Sequence, residues 1–222
     1  MRERGNPTDN CSRLRSLSRG NEGPGARNDN NKPMDTNNKL IIICGTSGSG
    51  KGSVIRGLLS DKKLNLRWAK TATTRPPRPD DPKTSRRGFL SRAEFEKLWR
   101  EGDIIERNEY NGHFYGALKS EIEKNPKRNA IVETDINGTV ALKKYYKENC
   151  LTIFVYSTLL ETEGRLRKRG MLDKVISTRL KIAENEIGKR NSCDKVIANR
   201  DGKLDRTIAE AAKQIRGFLE AG

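Results

Sequence analysis

The sequence has few of the residues from which metal sites, disulfide frameworks and membrane spans are built. His113 is the only histidine, which excludes a histidine-based catalytic triad and a histidine-rich metal site. The four cysteines are scattered without a Cys-x-x-Cys pair, so reduced thiols are favoured over disulfides or zinc. No apolar run approaches the roughly 18 residues of a membrane span, and no signal-peptide core is present. We therefore expect a cytoplasmic protein without a membrane partner.

Positive charge, in contrast, is abundant. Lysine and arginine number 45 against 29 aspartates and glutamates, which gives a formal net charge of +16. This balance favours anionic partners, but charge alone does not choose among nucleotides, nucleic acid and membrane surfaces. Aromatic residues make up only 5% of the chain, and no nucleic-acid module or base-stacking platform is recognisable. We expect no specific nucleic-acid partner.

The chain divides into a polar tail and one domain. Residues 1–38 are rich in Asn, Gly, Arg and Ser and should be disordered. Beyond them, apolar strands alternate with helical segments, which predicts an α/β fold whose parallel sheet is covered by helices on both faces. The predicted strands are Leu40–Cys44, Asn129–Thr134, Leu151–Tyr156 and Lys195–Ala198. The predicted helices are Val54–Leu59, Thr139–Asn149, Leu159–Arg169, Val175–Arg190 and Leu204–Ala221.

A segment of different texture interrupts this alternation. Ser91 opens a capping box and a short helix that should end at Glu101. The segments Ile104–Glu109 and His113–Tyr115 then flank Asn111-Gly112, a strong hairpin signal. The pattern predicts a small β-rich substrate-binding subdomain inserted into the α/β core.

A glycine-rich loop follows the first strand and ends in Lys51. A strand, such a loop and then a helix is the layout of a phosphate-binding loop (P-loop), in which backbone N–H groups surround an anion and the lysine reaches the outer phosphates. Gly52 stands where the template has Ser or Thr, and the hydroxyl comes one residue later, at Ser53. We expect Mg²⁺ to be held there largely through water and the nucleotide's own oxygens. The predicted loop comprises Gly45, Thr46, Ser47, Gly48, Ser49, Gly50, Lys51, Gly52 and Ser53.

Two groups of arginines stand out, and the first is a candidate for phosphate binding. Arg75 and Arg78 are three residues apart on a proline-stiffened segment, where two guanidinium groups could clamp one phosphate. Arg165 and Arg169 lie one helical turn apart on one face, and Arg179 follows in the next predicted helix. A solvated basic turn and a solvated cationic helix are the alternatives.

Several further motifs in the order and spacing of one family accompany the loop, and together they resemble guanylate kinases. The resemblance runs from residue 39 to about residue 220. It is carried by Thr71-Ala72-Thr73-Thr74-Arg75-Pro76-Pro77-Arg78-Pro79, Ile105-Glu106, Tyr110-Asn111-Gly112-His113-Phe114-Tyr115-Gly116, Glu133-Thr134-Asp135-Ile136-Asn137-Gly138, Arg165-Leu166-Arg167-Lys168-Arg169-Gly170 and Asp194-Lys195-Val196-Ile197-Ala198-Asn199.

The resemblance implies a P-loop kinase that uses ATP and Mg²⁺ to phosphorylate GMP, with dGMP as a second candidate acceptor. The P-loop residues and Asn199 would bind ATP. Lys51, Arg75, Arg165, Arg169 and Arg179 would act on the transferring phosphoryl group, and Ser53 and Asp135 would serve the metal. The acceptor would be bound by Thr71, Arg75, Arg78, Arg87, Glu106, Tyr115, Glu133 and Asp135.

The same resemblance implies a division of the domain. The core would comprise residues 39–70 and 118–222, the acceptor-binding insert residues 71–117, and a mobile helical lid residues 157–190. The chain also departs from the family pattern, because Arg87 stands where a phosphate-binding tyrosine is usual, Ala117 replaces a hydroxyl residue and Glu133 replaces an aspartate. The active form would be a monomer or a homodimer.

Two alternatives of other kinds remain at this point. One is a related P-loop kinase that acts on a ribose bisphosphate, which would not need a guanine-reading Glu106. The other is a non-catalytic guanylate-kinase-like module that binds protein partners. Such modules typically lose the P-loop lysine and the lid arginines, and this chain retains both sets.

Overall fold

The structure is a computed structural model that describes residues 39–77, 87–110 and 112–221, and only the backbone of Arg87. The predicted tail, Arg78, Asn111 and the side chain of Arg87 therefore lie outside the described part. Within it, no helix is long and apolar enough to cross a membrane.

Nine strands and seven α-helices are described. In chain order they are β1 (Leu40–Gly45), α1 (Lys51–Ser60), β2 (Leu66–Trp68), β3 (Thr71–Thr73), β4 (Arg87–Phe89), α2 (Arg92–Glu101), β5 (Asn108–Tyr110), β6 (His113–Ala117), α3 (Lys119–Glu123), β7 (Asn129–Glu133), α4 (Ile136–Tyr146), β8 (Cys150–Tyr156), α5 (Leu159–Lys168), α6 (Asp173–Gly188), β9 (Lys195–Ala198) and α7 (Leu204–Glu220). Short 3₁₀ helices cover Lys62–Leu64, Lys147–Asn149 and Arg190–Ser192.

The core is a five-stranded, all-parallel sheet in the order β2-β7-β1-β8-β9. Its central strand β1 is buried throughout, and alternate residues enter opposite cores. Ile41 and Ile43 pack toward α1 and α7, whereas Leu40 and Ile42 pack toward α3 and α4. This arrangement confirms the predicted α/β fold with helices on both faces, and it brings the carboxyl ends of all five strands to one edge.

A second sheet of four short strands has the order β4-β3-β6-β5. Phe95 and Trp99 of α2 pack with Phe114 of β6 and form its core. The predicted hairpin is present as antiparallel β5 and β6, but the prediction that its first strand begins at Ile104 is wrong. Ile104 makes only an isolated bridge to Leu118, because its N–H donates to the end of α2 at Leu98. The three-residue strands β2, β3 and β4 had not been predicted.

Helix α2 has the bounds that its capping box predicts, and both of the box's hydrogen bonds are formed. Helix α4, in contrast, starts three residues earlier than predicted. Asp135 caps it, because its carboxylate accepts the Gly138 N–H at 2.8 Å. The helix then ends at Tyr146 and the chain continues as a 3₁₀ turn, where the prediction had extended the α-helix to Asn149.

The last residue of β1 must be glycine. Gly45 has a φ of +133°, and a Cβ built on it would lie 1.8 Å from the carbonyl oxygen of Val155 on β8. The next residue, Thr46, donates its N–H to that same oxygen at 3.2 Å. The close approach of the two strands therefore fixes where the chain leaves the sheet and enters the glycine-rich loop.

We expect Gly45→Ala to destabilise the protein by about 3 kcal/mol or more, because the added methyl group meets backbone in a conformation that alanine disfavours. Gly164→Ala is the control. Gly164 lies within α5 with open space around it, so alanine there should stabilise by about 0.5–1 kcal/mol through helix propensity. Urea unfolding of both variants checks this, and equal stabilities would contradict the account.

Candidate active site

A cleft of about 360 Å³ opens between the carboxyl edge of the core sheet, the second sheet and α6. This size suits a small-molecule ligand. The cleft is lined by Gly45, Ser47, Lys51, Thr71, Arg75, Glu106, Asn108, Tyr110, Tyr115, Gly116, Glu133, Thr134, Asp135, Arg179, Ile182 and Glu186. Ten of these are residues that the sequence predicts for the site.

The glycine-rich loop forms one end of the cleft. Gly48 and Gly50 have φ values of +84° and +88°, which let the chain turn from β1 into α1. Helix α1 begins at Lys51, and the preceding Gly50 offers no side chain to cap it, so its first N–H groups and positive end face the loop. The ammonium group of Lys51 donates to the carbonyl oxygens of Gly45 and Thr46 at 2.8 and 3.0 Å. The loop thus has the form of an anion cradle.

Two predicted residues support this loop from behind. Asn199 is buried, and its Nδ2 donates to the Ser49 carbonyl at 2.7 Å. Arg165 donates to the Asn199 carbonyl at 2.8 Å and forms an ion pair with Asp201 at 2.7 Å. A Cβ on Gly50 would lie 2.5 Å from Asn199 Nδ2, so the loop and its support are packed closely. Neither residue lines the cleft in this structure, and Asn199 as an adenine neighbour stays a prediction.

The remaining predicted lid arginines differ in position. Arg179 lines the cleft, and its Nη1 donates to Ser47 Oγ at 2.7 Å. Arg169 is exposed just beyond the end of α5 and does not line the cleft. The structure therefore brings one of the two together with the P-loop.

Glu106 forms the other end of the cleft and is only 3% exposed. One carboxylate oxygen accepts from Asn108 Nδ2 at 2.8 Å, and the other accepts from Thr134 Oγ1 at 3.3 Å. Burial, together with the nearby Asp135 carboxylate, raises the pKa of Glu106 to about 8. The group is consequently poised to become a carboxylate when hydrogen-bond donors arrive.

Asp135 connects this end to the core sheet. Its Oδ1 accepts from Asn108 Nδ2 at 3.1 Å as well as from the α4 backbone, and burial raises its pKa. Glycine is needed beside these carboxylates, because a Cβ on Gly138 would lie 3.0 Å from Glu106 and 2.2 Å from the Thr134 hydroxyl. Glu133, the last residue of β7, lines the cleft next to them.

The second sheet supplies the wall between the two ends. Thr71 starts β3 and pairs with Ala117 of β6, while Tyr115 pairs with Thr73. Arg75 follows β3, is 7% exposed, and lies over the Phe89 ring at 5.2 Å. Its Nη1 donates to the Pro76 carbonyl at 2.8 Å. These contacts hold a buried guanidinium group at the edge of the cleft.

Six lining residues were not predicted from the sequence: Asn108, Tyr110, Gly116, Thr134, Ile182 and Glu186. Asn108 lies two positions after Glu106, and the period-two alternation of a strand would have placed both on one face. Glu186 lies seven positions after Arg179, so two turns of helix bring them to the same face of α6. Both signals were present, but polar and charged residues at such spacings are common on solvated surfaces.

Comparisons with known proteins give a consistent result. A family model described as guanylate kinase matches residues 37–220. The chain is 37% identical to the guanylate kinase of Porphyromonas gingivalis, over 82% of this chain and 98% of that protein. It is 38% identical to a guanylate kinase of Bacteroides fragilis, over 82% and 90% respectively. A solved guanylate kinase from Anaplasma phagocytophilum superposes with a TM-score of 0.60 at 26% identity, covering 85% of this chain and 87% of that one.

The raised pKa of Glu106 makes stability depend on pH. The folded chain keeps a proton up to about pH 8, whereas an ordinary glutamate releases it near 4.5. This contribution to stability is therefore fully present at low pH and is lost as the pH rises through about 8. We expect the free energy of unfolding to fall more steeply between about pH 4.5 and 8 in the wild type than in Glu106→Gln.

Urea unfolding across this pH range measures the slope. Glu109→Gln, an exposed position three residues along the same segment, should follow the wild type. Identical slopes for the wild type and Glu106→Gln would contradict the shifted pKa.

Proposed function

The chain belongs to the guanylate kinase family, and from this premise we propose how its cleft carries out the ATP-dependent phosphorylation of GMP to GDP. One observation carries the proposal. A single cleft has the glycine-rich loop and Lys51 at one end and the buried Glu106 at the other, so a triphosphate donor and a guanine acceptor can meet within it. The substrate and the reaction are those of the family; the roles of individual residues are our proposal.

At the donor end, the loop from Gly45 to Ser53 and the α1 N-terminus would hold the ATP phosphates through backbone N–H groups other than that of Thr46, which is bonded to Val155. Lys51 would leave the carbonyl oxygens of Gly45 and Thr46 for the outer phosphates. Asn199 would border the adenine. Arg165, Arg169 and Arg179 would surround the transferring phosphoryl group, whose spreading negative charge needs alignment and positive charge more than covalent help.

At the acceptor end, the Glu106 carboxylate would accept the N1–H and 2-amino hydrogens of guanine, with Thr71 as a supplementary contact. Arg75 would bind the GMP phosphate together with Arg78, Arg87 and the Tyr115 hydroxyl. Glu133 and Asp135 would lie beside the acceptor. Arg75 lines the cleft from a buried position, which supports this assignment.

The environment of Glu106 explains how guanine would be selected. Ionising this buried carboxyl is unfavourable in the free protein, as its raised pKa indicates. Guanine offers two donors that together compensate for the ionisation, whereas adenine offers no such pair and would leave the cost of ionising Glu106 uncompensated. Selection would therefore come from the cost of the wrong base as well as from contacts to the right one.

The residues present fit a Mg²⁺ ion that keeps most of its water. Among the described residues, no group of three or more His, Cys, Asp and Glu side chains could hold a metal, but Mg²⁺ at nucleotide sites needs only one or two protein oxygens besides phosphate. The Ser53 hydroxyl and the Asp135 carboxylate would supply these. When bound, the ion would neutralise charge that develops on the phosphate oxygens.

Closure of the cleft would complete the site. We propose residues 157–190 as the lid, residues 71–117 as the acceptor-binding insert, and the rest of 39–222 as the core, with water excluded on closure.

The free cysteines of the described part, Cys44, Cys150 and Cys193, support a reducing compartment such as the cytoplasm.

Neither alternative from the sequence is favoured. A ribose bisphosphate kinase would not need the buried Glu106, and a non-catalytic module would not need Lys51 together with Arg165 and Arg179. The family match covers residues 37–220.

A coupled ADP-release assay with MgATP and each of GMP, AMP, CMP and UMP tests the function. We expect turnover with GMP alone. Lys51→Met should abolish it, and Glu106→Gln should lower kcat/KM for GMP by roughly 100-fold or more, because the base donors lose their charged acceptor.

Exposed positions provide the matched controls. Lys62→Met and Glu109→Gln alter exposed residues of the same types that do not line the cleft, and both should retain wild-type turnover. Absence of turnover with every nucleotide would reject the kinase assignment. Unchanged GMP turnover in Glu106→Gln would reject the guanine contact alone.

A further inference from the structure

A carboxylate occupies the phosphate end of the cleft. Glu186 of α6 lines the cleft together with Ser47 and Lys51. Burial raises the pKa of Glu186, while the charge of Lys51 and a hydrogen bond from the Ser47 backbone N–H favour its ionised form. Its Oε2 atom is buried and has no hydrogen-bond partner among the residues that the structure describes. One oxygen of this group thus contacts the loop, while the buried Oε2 has no hydrogen bond from the described residues.

The same face of α6 also contacts the loop through a cation, the guanidinium group of Arg179. Arg179 and Glu186 are two helical turns apart, and both engage Ser47. Arg179 Nη1 donates to the Ser47 hydroxyl at 2.7 Å, whereas Glu186 takes the Ser47 N–H. Helix α6 therefore contacts Ser47 at two places, the side-chain hydroxyl and the backbone N–H.

A phosphate group bound here would place an anionic oxygen against a loop N–H, near the Lys51 ammonium. The Glu186 carboxylate provides a similar arrangement. We propose that Glu186 is an internal anion which occupies the phosphate-binding loop in the nucleotide-free protein and which a polyphosphate must displace. The inference rests on the proposed function, in which this loop receives the phosphates of ATP.

Displacement would have two effects. Like charges at close range repel strongly in a partly buried site, so Glu186 lowers the affinity of the loop for polyphosphate. When the carboxylate leaves, the face of α6 that carries Arg179 is released from Ser47, and the Arg179 guanidinium can turn to the incoming phosphates. Entry of the donor is in this way coupled to rearrangement of the helix that closes the cleft.

Isothermal titration of the full chain with ATP, and separately with inorganic tripolyphosphate, tests the proposal in the presence and absence of Mg²⁺. Glu186→Gln removes the charge but keeps an oxygen that can accept the Ser47 N–H. Glu184→Gln is the matched control, because it removes the same charge from an exposed position on the same helix. Without Mg²⁺, Glu186→Gln should bind both ligands about five- to tenfold more tightly than the wild type.

Unchanged or weaker binding in Glu186→Gln would overturn the proposal, as would an equal gain in Glu184→Gln. Weakening confined to the Mg²⁺ titrations would also overturn it and would assign Glu186 to the water shell of the metal. Turnover of GMP, measured on the same preparations, judges the proposed function separately. If the chain binds tripolyphosphate as expected but does not phosphorylate GMP, the proposed function is rejected. The proposal that Glu186 is an internal anion is then still supported.

Discussion

The close approach of β1 to β8 at the edge of the core sheet is the constraint on which the site depends. Val155 directs its carbonyl oxygen at the point where β1 ends, so that only glycine fits at position 45 and the next N–H is drawn onto that oxygen. The chain is thereby turned out of the sheet into the glycine-rich loop at one end of the cleft. Asn199, at the end of β9, supports the loop from the other side. The proposed phosphate site is therefore a consequence of sheet packing.

The opposite end of the cleft follows a different principle. Glu106 is buried among hydrogen-bond partners that include Asn108 and Thr134, yet these do not compensate fully for the loss of water, and its pKa rises to about 8. Charge on this group is best stabilised by a ligand that brings donors of its own. The proposed base selection and the expected pH dependence of stability thus both follow from one desolvated carboxyl group.

The long elements with a clear hydrophobic or capping pattern could be predicted from the sequence. Elements whose formation depends on tertiary contacts could not. The apolar run of β1 and the capping box before α2 specify their elements locally. The strands β2, β3 and β4 have three residues each, too few to show a period, and they form only because neighbours supply their hydrogen bonds. The early start of α4 depends on Asp135, a residue expected in the site, which serves as a helix cap as well. Glu186 was missed because its distinguishing feature, burial against Ser47, exists only in the folded chain.

The central claim is that one cleft holds a donor at the glycine-rich loop and a guanine acceptor at Glu106 in contact with each other. Adenosine joined to guanosine through a polyphosphate bridge tests this most directly. The account predicts that one molecule binds per chain and that it competes with both ATP and GMP in steady-state kinetics. Competition with only one of the two nucleotides, or two bound molecules per chain, would contradict it.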